Sequence, residues 1–209
     1  QGELTTGMQA LMQNLPVYIP AGITYISGTN PLRPDLSAYP AYINSKRRGL
    51  LFVGDGLDIS ILMLEKDPAG VEDVYFWSNE LDTATDGGGR RRHGYDSVGF
   101  ENLSFYGDGW DSSVRNLQSS ALRSAGSRIN GFYQFSNGWE KHFNFYRCSF
   151  RGIDIVNTWR GLSNADKNTF TLCQFEPFRE AIVDCDNDQS VANAFVDCQY
   201  FGFGAVFRT

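Results

Sequence analysis

Three stretches near the C-terminal end share one arrangement of apolar positions: Phe145-x-x-Cys148-x-Phe150, Phe170-x-x-Cys173-x-Phe175 and Phe195-x-x-Cys198-x-Tyr200. The interval is 25 residues both times. Asn168 and Asn193 precede their Phe by two residues in the same register, where the first copy has Phe143. A second apolar segment trails each motif: Gly152 to Val156, Ala181 to Asp184, and Gly204 to Phe207. A fainter copy, Phe100-x-x-Leu103-x-Phe105, lies 45 residues upstream of Phe145, close to two repeats if one coil has a shorter loop.

A period in the twenties means stacked coils, none of which can bury its apolar face alone. A βαβ unit needs about 30 residues and a helical stretch. The connecting segment from Trp159 to Asn168 shows turn residues and no 3.6-residue periodicity. Aromatic and β-branched residues at short alternating spacing predict strands. Leucine-rich repeats share the spacing but continue with x-x-Asn, whereas Arg151-Gly152-Ile153 and Glu176-Pro177-Phe178 follow here. The expected fold class is all-β, a right-handed parallel β-helix whose coils each carry two or three short strands.

The N-terminal third reads Leu15-Pro-Val-Tyr-Ile-Pro-Ala-Gly22-Ile-Thr-Tyr25-Ile26, then Leu50 to Gly54-Asp55-Gly56 and Ser60 to Leu64. This order resembles the opening of pectin-lyase-like β-helix proteins. The resemblance implies a capping helix over 5–14, first coils over 15–80 and regular coils over 95–209. The stretch 82–94, with Gly87-Gly-Gly-Arg90-Arg-Arg-His93, reads as an inserted loop. Virus tailspikes and capsule depolymerases share this N-terminal pattern. The resemblance therefore implies a homotrimeric virion tail protein that works with other tail proteins, recognises bacterial surface polysaccharide and is assembled in the host cytoplasm. Two alternatives stay open: a structural or adhesive β-helix without catalysis, and a secreted polysaccharide lyase or hydrolase. The last residues read as mid-coil, the expectation for a single domain, 1–209, that is a fragment of a longer chain.

Composition sharpens this. Hydrophobic residues make up 42% and aromatics 14% of the chain, enough apolar surface to build a core. The net charge of −6 argues against nucleic acid as a partner. No run of about 18 apolar residues predicts a membrane span. Cys148, Cys173 and Cys198 recur at one position and read as reduced core filler, which suits a reducing compartment. No cofactor is expected. Metal binding by Cys and His is not expected either, because neither C-x-x-C nor His-x-x-x-His spacing occurs. Asp184-x-Asp186-x-Asp188 starts like a calcium loop, but Gln189 and Phe195 stand where Gly and Glu are needed.

Glycosidic cleavage needs two carboxylates, about 5–5.5 Å apart for retention and about 6.5–9.5 Å for inversion. Neighbouring coils about 4.8 Å apart can supply such pairs. Asp154 alternates with apolar neighbours and is expected to point outward, and Glu180 and Asp184 flank the corresponding strand one coil later. These three are the candidate catalytic residues, with ordinary solvated carboxylates as the alternative. Trp139 and Trp159 lie in turn-like surroundings and could stack on sugar rings. Arg160 and Arg179 complete the candidate carbohydrate-binding set. Lys167 is a further available cation if the chemistry is β-elimination.

Overall fold

The structure is a computed structural model. It describes residues 15–28, 31–32, 49–78, 97–108, 128–134, 142–161, 167–176, 178–187, 192–201 and 205–208. The expected capping helix over 5–14 and the inserted loop over 82–94 lie outside the described residues.

The described chain winds through six rungs. The first holds β1 (Val17–Ile19) and β2 (Gly22–Ile26). The second holds β3 (Gly49–Gly54), β4 (Ser60–Leu64) and β5 (Val74–Ser78), and the third β6 (Ser97–Glu101), β7 (Ser104–Gly107) and β8 (Ile129–Gln134). The fourth holds β9 (Phe143–Tyr146), β10 (Ser149–Arg151) and β11 (Ile153–Gly161), and the fifth β12 (Thr169–Thr171), β13 (Gln174–Phe175) and β14 (Phe178–Asn187). The sixth holds β15 (Ala194–Val196), β16 (Gln199–Tyr200) and β17 (Ala205–Arg208). Strands stack only on their counterparts, giving three sheets ordered β1-β3-β6-β9-β12-β15, β2-β4-β7-β10-β13-β16 and β5-β8-β11-β14-β17. Every pairing between rungs is parallel. The molecule is an all-β parallel solenoid, and no helix occurs among the described residues.

The repeat is a stack of rings. Phe145 pairs with Phe170 and Phe170 with Phe195 in the first sheet, and Phe150 pairs with Phe175 in the second. Ring centroids in the first stack are 4.7 Å apart at both steps, with planes 10° and 6° from parallel. In the second stack, Phe105, Phe150, Phe175 and Tyr200 follow at 5.3, 5.2 and 5.5 Å. Each such contact adds about 0.5–1.5 kcal/mol beyond the area it buries.

The 45-residue gap before Phe145 is one rung, not close to two. Phe100 pairs directly with Phe145, and Phe52 pairs with Phe100. Extra residues go into the connections between strands, where closure entropy grows only slowly with length. The strands keep their places because the stacked rings set them. A second correction concerns Trp159 to Gly161, expected in a turn: β11 runs through them to Gly161.

The corner between the first and second sheets is built the same way in four rungs. Asn102, Arg147, Leu172 and Asp197 have φ of 55°, 50°, 55° and 51°, and each directly precedes the Leu or Cys of its motif. One left-handed residue turns the chain while the next side chain drops into the core. Leu103, Cys148 and Cys173 are fully buried there. All four cysteines are free. The thiols of Cys148, Cys173 and Cys198 donate to the carbonyls of Phe100, Phe145 and Phe170, at 3.3, 3.5 and 3.2 Å. Burial, then the hydrogen bond with Cys148, pushes the Cys173 thiol well above its ordinary pKa.

Side-chain oxygens finish the ladders where strands begin. Asn168 Oδ1 accepts from the Phe143 N–H, and Asn193 Oδ1 from the Asn168 N–H, each at 2.8 Å. This explains the two Asn that keep register with the motif. A buried N–H without an acceptor is costly, and a side-chain amide supplies one where no strand does.

Candidate functional site

Inward phenylalanines in the second sheet alternate with residues on its outer face. The residue after each motif falls in one outer row. Tyr25 pairs with Met63, Met63 with Tyr106, and Tyr106 with Arg151. Glu176 and Phe201 continue it, their N–H groups donating to Phe150 and Phe175 at 2.8 Å. At about 4.8 Å per step the row spans about 24 Å. Its ends are aromatic and exposed, Tyr25 and Phe201.

At its middle a polar cluster joins three rungs. Asp58, in the connection between β3 and β4 with φ 59°, reaches over the two following rungs. Its Oδ1 accepts from the Tyr106 hydroxyl at 2.8 Å and from Ser104 Oγ at 3.2 Å. Its Oδ2 pairs with Arg151 Nη2 at 2.7 Å, with side-chain exposures of 44% for Asp58 and 15% for Arg151. The guanidinium also lies over the Tyr106 ring, 5.5 Å from its centroid. Ser149 Oγ donates to Ser104 Oγ at 2.7 Å. Desolvation, followed by the Asp58 hydrogen bond, pushes the Tyr106 phenol far above its ordinary pKa; Arg151 opposes the shift. The phenol therefore stays protonated at neutral pH. Asp58 is the exposed member of the cluster, while Tyr106, Ser104 and Ser149 are buried and hold it in place.

The expected catalytic residues lie elsewhere, on the third sheet. Asp154 does not point outward into solvent: it is 0% exposed, and its Oδ2 accepts from the Ile129 N–H at 2.9 Å. Its position at the start of β11, beside a register shift between Ile153 and Ile155, turns the carboxylate onto the first N–H of β8. A simple alternation argument misses such irregularities. Glu180 lies beside Asp154 on the next rung, since Ile155 pairs with Ala181, but its side chain lies outside what is described. Asp184 pairs with Thr158 and is buried. It stands four residues further along, about 13 Å from the level of Asp154. Asp154 and Glu180 are neighbours, and Asp184 is set apart.

Trp159 is also not in an exposed turn. It is 3% exposed, inside β11, paired with Cys185 and in ring contact with Phe207 at 6.5 Å. Arg160 pairs with Asp186, and Arg179 lies in β14; the side chains of both arginines are outside what is described. Trp139 lies outside the described residues. Lys167 is exposed at a corner with φ 58°. Among the described residues no three His, Cys, Asp or Glu are grouped to hold a metal ion.

Part of the outer row was within reach of the sequence, because the interval that reveals the motif also aligns Arg151, Glu176 and Phe201, and Tyr106 joins them only through the pairing of β7 with β10. Asp58 carried no such signal. Its partner Arg151 lies 93 residues away and meets it only through the stacking of rungs.

No family model matches the chain, and no curated protein or solved structure matches it.

Proposed function

We propose that this chain is a right-handed β-helix of the pectin-lyase-like kind, part of a homotrimeric virion tail protein that binds bacterial surface polysaccharide. Right-handedness is the general rule for parallel strands joined by crossovers. The observation that carries the binding reading is the outer row of the second sheet, where the Asp58, Tyr106 and Arg151 cluster lies between exposed Tyr25 and Phe201. Fixed polar groups beside aromatic faces are what grips sugar rings. A row of about 24 Å along the solenoid axis suits a linear glycan.

A non-catalytic form of this reading is favoured by Asp154, which is buried and engaged with a backbone N–H. The test is retention of the chain on immobilised capsular or O-antigen polysaccharide, with assays for reducing ends and for 235-nm double bonds. Retention that is lost in Arg151→Ala and Tyr25→Ala, with neither product formed, is the expected result. Reducing ends or double bonds would make the protein a hydrolase or a lyase. No retention on any bacterial polysaccharide would sink the binding reading, and a stable monomer in light scattering would sink the trimer.

A further inference from the structure

We infer that the interior of the fourth rung holds an internal hydration site, one or two water molecules hydrogen-bonded to the Asn157 amide and the Trp159 indole. Asn157 pairs with Phe132 on one side and Val183 on the other, both core residues, so its side chain enters the solenoid interior. It is fully buried, and neither Nδ2 nor Oδ1 has a hydrogen-bond partner among the described residues. Trp159, two residues on, belongs to the core, and its Nε1 is likewise buried and unpartnered.

Three polar atoms thus lie on one face of one strand, with the amide between the core residues Phe132 and Val183. Buried amides are almost always satisfied, because desolvating one without replacing its bonds to water is strongly unfavourable. Residues i and i+2 of a strand stand about 6.6–6.8 Å apart. Two hydrogen bonds of about 2.9 Å meeting at one oxygen reach at most about 5.8 Å, so side chains reaching toward each other from that spacing are bridged by one water or by two in series. A water needs two to four polar partners, and the amide and the indole N–H provide them. An ion would need charge that these groups lack. Cys185, the register partner of Trp159, is only partly buried, which places the site close enough to the surface for water to exchange.

The test is a water-selective NOE measurement on the isotope-labelled full chain, with the indole signal assigned through Trp159→Phe. A cross-peak between water and the Trp159 indole proton is expected, and it should vanish in Asn157→Leu. Asn157→Leu should also lower Tm by about 3 °C, because the indole loses its partner. Absence of the cross-peak from the folded wild-type chain overturns the inference. So does a Tm raised by Asn157→Leu, which is what removing a dry, unsatisfied amide would give.

Discussion

The fifth and sixth rungs carry corresponding residues in register and differ in how much water reaches them. Phe170, Phe175 and Val183 of the fifth are 0% exposed. Their partners one rung on are Phe195, which is partly buried, Tyr200 at 44% and Phe207 at 51%. The rings of Phe170 and Phe195 still stack at 4.7 Å, and those of Phe175 and Tyr200 at 5.5 Å. Stacking geometry is therefore the same in both rungs. Enclosure is not: Phe170 stacks on Phe145 on one side and on Phe195 on the other, and no water reaches it. In a solenoid the value of a side chain depends on its rung as much as on its identity.

The sharpest way to break this comparison is a matched pair of truncations. Phe170→Ala should cost about 3–5 kcal/mol, the range for a fully enclosed aromatic. Phe195→Ala should cost clearly less, since water already reaches its ring. Urea unfolding of both variants checks this, and equal losses would show that the sixth rung is as enclosed as the fifth.

Next in size is Gly131→Ala in β8, where a Cβ would collide with the Val156 carbonyl of the rung above. A backbone atom cannot yield as a side chain can, so the same measurement should show a loss of about 1–3 kcal/mol. Asp154→Ala should follow, at about 1–3 kcal/mol, because the Ile129 N–H loses its acceptor. Asp154→Asn keeps an oxygen there and should recover most of the loss. A carboxylate needed for chemistry would instead fail in both variants when activity is assayed.

A smaller effect of opposite sign is expected at the corners. Leu172 holds φ 55°, a conformation that costs a branched residue roughly 1–2 kcal/mol. Leu172→Asn, the residue type that Asn102 already supplies at this corner, should raise stability by about 1 kcal/mol. The least perturbing probe reads only a rate. Iodoacetamide should label Cys198, which is only partly buried, before Cys173, which is fully buried one rung in. Peptide mapping over time decides the order.

How far the sequence reached follows from what its repeat encodes. Parallel stacking preserves register, so residues 25 apart had to meet, and the ring stacks, the thiol row and the Arg151, Glu176 and Phe201 part of the outer row were legible from the interval. The Asn at 168 and 193 also kept register, though their role as N–H acceptors became clear only once the strand ends were known. The single rung of 45 residues was not legible, because spacing cannot distinguish one long connection from an extra coil. Hydrogen bonding between Phe100 and Phe145 decided it.

Burial of Asp154 and Trp159 was also settled only in three dimensions. Each stands in a local pattern that suits an exposed position. A register shift turns the first onto a backbone N–H, and the extension of β11 puts the second into the core. The Asp58 cluster is the clearest such case, joining residues up to 93 positions apart. By itself, then, the sequence determined the stacking, because a periodic apolar pattern has one way to bury itself. The tertiary structure decided where the polar groups went, because an unsatisfied N–H or carboxylate takes whichever partner the stacking brings near.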